Sequence, residues 1–161
     1  MKMTLRTLCV FGMFALFASA SSSTHAASIK DVFEKYNLFG VWAFDCSKPA
    51  RADNNWYFVN RPIDADHVQR DFMDGPTSRL YYVILDKAVE TAVGEISFSG
   101  EISGKIGNAT FDRKPTEGIW RIQGNRMQQR EATVSGEKTI TAGRLLATGK
   151  DIPWLNRCSA R

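Results

Sequence analysis

The sequence predicts an all-β domain: an eight- or nine-stranded antiparallel meander barrel, preceded by a short N-terminal helix and finished by a disulfide-pinned C-terminal tail. Three observations carry this expectation. From Phe39 onward apolar residues alternate with polar ones, and turn residues punctuate the chain at short intervals. No helix of ordinary length fits that part. Cys46 and Cys158 stand near the two ends of the alternating region, where a bridge would hold the first strand against the tail.

The start of the chain reads differently. Lys2 and Arg6 precede an apolar run over residues 8–18, and small residues follow at Ser19-Ala20 and Thr24-His25-Ala26, the layout of a secretory signal peptide. The run is short for a bilayer span, and cleavage after Ala20 or, by preference, Ala26 removes it. A transmembrane anchor is the competing reading, but no second apolar span supports it. Residues 1–26 are therefore expected to be a signal peptide and residues 27–161 a single domain, with no stable membrane span after cleavage. The expected destination is periplasmic or secreted. A hydrophobic share of 43% in 161 residues suffices for one core.

Of three cysteines, Cys9 lies within the leader and lacks the small residues that precede a lipoprotein cleavage site. The even pair that remains in an exported chain is expected to be a disulfide. Closing a loop of about 110 residues stabilises a fold by roughly 4–5 kcal/mol in the chain-entropy model. Two catalytic thiols would be the alternative, without Cys-x-x-Cys spacing or an adjacent histidine. Loss of Lys2 and Arg6, with no acid in the leader, takes the formal charge from +4 to +2. The remaining basic residues are interspersed with acids, so the footprint of a nucleic-acid binder is missing.

Ser28 is placed to cap a helix whose apolar positions Ile29, Val32, Phe33 and Tyr36 fall on one face, with Asp31 in the first turn where the helix dipole favours an acid. About two turns long, this helix is unstable alone in water and must dock its apolar stripe, most naturally on an open barrel end. Strands are expected near residues 40–46, 55–60, 67–74, 79–87, 91–99, 105–112, 118–123, 126–134 and 138–146. Gly124-Asn125 and Ser135-Gly136-Glu137 mark hairpins, and Asp74-Gly75-Pro76 breaks one strand from the next. Ser99-Gly100 and Ser103-Gly104 supply further bends or bulges. Closure of the meander removes its exposed edges; an open two-sheet sandwich is the alternative. Asn108-Ala109-Thr110 matches a glycosylation sequon.

Alternation also nominates a site. Arg70 shares a face with Val68 and Phe72, Arg130 with Ala132 and Val134, and Arg144 with Ile140 and Leu146. If those faces point inward, three guanidinium groups form a cationic floor for a carboxylate or phosphate beneath an apolar wall that includes Trp56, Phe58 and Tyr82. If they point outward, or pair with Asp71 or Glu131, the floor does not exist. His67 lies among Asp64, Asp66 and Asp71, an arrangement shared by acid–base and metal sites and by ordinary solvated turns. No nucleophile, second nitrogen ligand, phosphate loop or dinucleotide fingerprint accompanies it, so no catalytic residue, metal site or cofactor is expected.

Gly40 and Trp42 resemble the Gly-x-Trp that opens the first strand in lipocalins and related calycin barrels, and Arg157 resembles the late arginine that packs on that tryptophan. The helix beginning at Ser28 matches the short helix covering the closed end. The phrase running through Trp42-Ala43, Asp45-Cys46-Ser47 and Asp53-Asn54, together with Pro153-Trp154-Leu155-Asn156-Arg157-Cys158, also resembles a set of exported bacterial proteins, a likeness that brings no activity with it. Middle and late lipocalin motifs are missing. The lipocalin-like, calycin-type resemblance implies that Trp42 plugs the closed end, Arg157 stacks across it, and ligand chemistry belongs at the opposite end. The expectation is an exported binding protein for a small amphipathic or acidic ligand, not an enzyme. The alternative is a protein-interaction module, such as an inhibitor of a secreted hydrolase, acting through loops at residues 48–55 or 63–66.

Overall fold

The computed structural model describes residues 27–158; the expected signal peptide lies outside the described residues, as do residues 159–161. The chain begins with helix α1, Ile29–Lys35, whose first turn is closed by a reciprocal cap: Asp31 N–H donates to Ser28 Oγ and Ser28 N–H to the Asp31 carboxylate. Its apolar stripe, Ile29, Val32 and Phe33, is buried against the barrel. Ten strands follow: β1 Gly40–Ala43, β2 Tyr57–Pro62, β3 Val68–Met73, β4 Arg79–Ala92, β5 Glu95–Ile106, β6 Ala109–Gln123, β7 Arg126–Val134, β8 Glu137–Thr141, β9 Arg144–Leu145 and β10 Leu155–Cys158.

All neighbours are antiparallel, in the order β10-β1-β2-β3-β4-β5-β6-β7-β8-β9. Closure comes from β10, which pairs with β1 on one side and with the start of β7 on the other, through Leu155↔Met127 and Asn156↔Arg126. Eight strands thus form a closed barrel. The upper part of the same β7 edge, Ala132 to Val134, pairs with β8, so the β8–β9 hairpin is an appendage that leans across the barrel wall. Cys46 and Cys158 are bonded, with Cα atoms 5.3 Å apart and a sequence separation of 112.

Three long strands replace the four shorter ones expected between residues 79 and 123. Gly100 and Gly104 lie inside β5 at register shifts, the bulges expected there, and glycine is needed at both because neighbouring backbone approaches too closely for a side chain. A Cβ at Gly100 would meet Ile84 O at 2.1 Å, and Gly104, at φ +124°, faces Leu80 O and Tyr81 Cα at 2.5 Å. The true β4–β5 turn is at Val93-Gly94. The expected strand at residues 138–146 is also divided, since Ala142 and Gly143 both take positive φ and reverse the chain.

The end that carries α1 is closed. Trp42 is fully buried, and its Nε1–H donates to Leu38 O at 2.8 Å. Where the resemblance has Arg157 stacking across Trp42, its guanidinium instead donates to two carbonyls of the preceding turn, Asn37 O at 2.9 Å and Phe39 O at 3.2 Å. The effect on closure is similar, because Arg157 ties the last strand to the segment entering the first.

Removing the disulfide with a Cys46→Ser/Cys158→Ser double variant is expected to lower unfolding stability by about 4–5 kcal/mol. Denaturant titration followed by tryptophan fluorescence measures it. An unchanged midpoint would mean that β10 is held by its ladders and Arg157 alone.

Candidate functional site

Above the Trp42 plug the barrel is hollow. A cavity of about 530 Å³ extends to the opposite mouth, bounded by the inner faces of β2 to β7 and by the β8–β9 hairpin. Its wall is largely aromatic because inward positions on adjacent strands are in register. Phe58 pairs with Phe72, and Phe72 with Tyr81, giving ring centroids 5.0 and 4.7 Å apart; Trp56 extends the row at 6.4 Å from Phe58. Phe98 stacks on Trp120 at 4.2 Å, and Phe33 of α1 meets Trp120 edge-on from below. The Trp120 indole N–H is buried without a hydrogen-bond partner.

Arg70 projects into this apolar space and is only 6% exposed. Its guanidinium carbon lies 4.0 Å from the Phe58 ring centroid and 5.0 Å from that of Trp120. Nη1–H donates to Asn60 Oδ1 at 2.9 Å, and Asn60 Nδ2–H donates in turn to Leu38 O at 2.7 Å. The carbonyl that receives the Trp42 indole therefore also anchors the amide that orients Arg70.

No carboxylate of the described residues pairs with Arg70. Asp71, 1% exposed on the outer face, is taken by Arg61 at 3.1 Å, Arg79 at 2.9 Å and Gln69 at 2.7 Å. Burial pulls the Arg70 pKa down to about 10 and pushes the neighbouring Tyr81 phenol up to about 12, each partly offset by their mutual interaction. At neutral pH the cavity thus holds a charged guanidinium and a neutral phenol. Its lining contains three charged side chains, Arg70 within and Lys105 and Lys138 at the mouth, and no acid.

Of the residues grouped from sequence, Arg70, Trp56 and Phe58 are brought together on the cavity wall, whereas Arg130, Arg144 and Tyr82 are not. Arg130 is the extra residue of a bulge: Ile119 pairs with Glu131 and Trp120 with Gln129, so Gln129 takes the inward place and Arg130 sits beside Gly143. Arg144 follows the reversal at Ala142-Gly143 and pairs with Asp151 at 3.2 Å, exposed. Tyr82 faces outward beneath Arg79, whose guanidinium carbon is 4.2 Å from the ring, and Tyr81 occupies the inner position. The residues 79–87 are apolar at both parities, so alternation alone did not choose between them.

Asn60, absent from the residues grouped by alternation, is the one polar residue on the inner face of β2 and lies directly across from Arg70. Lys105 and Lys138 carry no sequence signal, since exposed lysines are ordinary. His67 and Asp64 form an exposed pair, Nδ1 to Oδ1 2.9 Å, in the β2–β3 turn at the closed end, away from the mouth. Loop 44–56 is drawn inward by buried Asn54, which bonds to Asp45, Lys48 and Pro49. Asn108 of the sequon lies in the exposed β5–β6 turn.

Among the described residues no helix is long and apolar enough to cross a membrane. Comparison of the chain with protein-family models, with curated proteins and with solved structures finds no match in any of the three.

Asn60→Leu would strip Arg70 of its protein hydrogen bond while leaving Trp42 on Leu38. The expected loss is about 1.5–3 kcal/mol, the range for a hydrogen bond to a charged group. Urea unfolding at neutral pH measures it, and a change within error would mean that Arg70 is held by its aromatic neighbours instead.

Proposed function

We propose that this protein binds a small amphipathic anion inside the barrel, with the acidic head on Arg70 and the apolar body along the wall of Phe58, Phe72 and Tyr81. The observation that carries the reading is a buried guanidinium, without an acid partner, facing an apolar cavity. A charge removed from water and left unpaired costs several kcal/mol, which two aromatic faces and one amide offset only in part. A carboxylate supplies what is missing: opposite charge, two acceptor oxygens and planar geometry matched to the guanidinium fork.

The hollow interior supports a lipocalin-like use of the barrel. A solid interior with a protruding loop would favour the inhibitor reading; the interior here holds a cavity and Asn54 draws loop 44–56 back onto itself, while the turn at residues 63–66 is exposed. The disulfide fits an oxidising compartment, and the leader-like N-terminus makes the periplasm or the cell exterior the natural place of action.

Arg70→Met separates binding from folding. Replacing an unpaired buried cation with an apolar side chain of similar length is expected to leave stability unchanged or raise it by about 1–3 kcal/mol. Binding of dodecanoate, followed by tryptophan fluorescence or by thermal shift, is expected to disappear. At a free concentration a hundred times Kd, that ligand should stabilise the wild type by about 2.7 kcal/mol. A variant that binds dodecanoate as well as the wild type would end the proposal.

The pH profile follows from the charge. Arg70 is cationic below its pKa of about 10, so affinity for a carboxylate is expected to be flat from roughly pH 6 to 9. It falls as pH rises through about 10 and the guanidinium loses its proton. Titrations across that range test this, and a midpoint near neutrality would place the responsible charge elsewhere.

A further inference from the structure

Resting on that reading, we infer that the ligand is acidic at both ends: an elongated diacid, one head on Arg70 and the other between Lys105 and Lys138 at the mouth. The distribution of charge leads to this. Nine of the described lysines and arginines pair with a carboxylate of the protein. None of the three that line the cavity does, and the lining contains no acid to satisfy them.

Position adds a second constraint. Arg70 pairs across the ladder with Val83, and Val83 with Ile102; Lys105 lies three residues further along β5 toward the mouth. At about 3.3 Å per residue, roughly 10 Å separates the two cationic levels. The side chains between them are apolar or aromatic, including Phe72, Tyr81, Ile102 and Phe111. A monoacid seated on Arg70 sends a hydrocarbon end up between two lysines. A diacid sends a carboxylate there, and because Lys105 and Lys138 are exposed, that carboxylate stays hydrated and gives up little solvation. Selectivity then arises at the rim, while Arg70 supplies the contact common to both ligands.

The experiment compares nonanedioate, whose extended length matches the separation of the two cationic levels, with nonanoate by calorimetric titration of the wild-type protein at low ionic strength. The diacid is expected to bind roughly three- to tenfold more tightly, the combined effect of two solvent-exposed charge contacts. In a Lys105→Gln/Lys138→Gln variant the ratio of the two affinities should collapse to about one, and added salt should shrink it in the wild type. If nonanoate binds at least as tightly as nonanedioate, or the ratio survives loss of both lysines, the two-ended ligand is wrong while the amphipathic-anion reading stands. If the wild type binds neither acid, both are overturned.

Discussion

The carbonyl oxygen of Leu38 accepts two buried hydrogen bonds, from the Trp42 indole at 2.8 Å and from the Asn60 amide at 2.7 Å, and the rest of the molecule is arranged around that junction. Through Trp42 it seals the end of the barrel under α1. Through Asn60 it fixes the amide oxygen that Arg70 contacts. Arg157 secures the same turn through the carbonyls on either side of Leu38, and the disulfide holds the strand that carries Arg157. Closure and site geometry are therefore set by one short segment.

That shared anchor matters because Arg70 is buried without a carboxylate partner among the described residues. A guanidinium can rest on aromatic faces, and Phe58 and Trp120 hold it in that way, but the contact does not replace the water it has lost. The nearest carboxylate in sequence, Asp71, points to the other side of the sheet and is consumed by Arg61 and Arg79. Pleat geometry alone keeps the two neighbours apart. The fold thus retains an unmet positive charge in an apolar enclosure, a local cost of the kind that accompanies ligand sites.

Much of this was readable from residue order. The period of two, the turn residues and the cysteine pair were enough for a closed antiparallel barrel, and Gly40, Trp42, Cys46 and Cys158 lie at its closure. Arg70, Trp56 and Phe58 line one cavity because the segments that carry them are regular up to that level. What alternation misjudged lies beyond irregularities. The bulge at Arg130 shifts parity by one residue, the reversal at Ala142-Gly143 carries Arg144 out of line, and equal apolarity of the two faces of β4 concealed the exchange of Tyr82 for Tyr81. A bulge adds a single residue and leaves no compositional mark. The rim lysines were hidden for a different reason, since their meaning lies in the absence of acids around them, which only the assembled lining reveals.

A structure of the protein in complex with dodecanoate tests the central claim most directly, because it reads the position of the anion rather than its effect. The account predicts the carboxylate within hydrogen-bonding distance of the Arg70 guanidinium, the chain running past Phe72 and Tyr81, and Asn60 still joined to Leu38. A carboxylate at the mouth with the hydrocarbon end buried against Arg70, or a ligand bound outside the barrel, would contradict it.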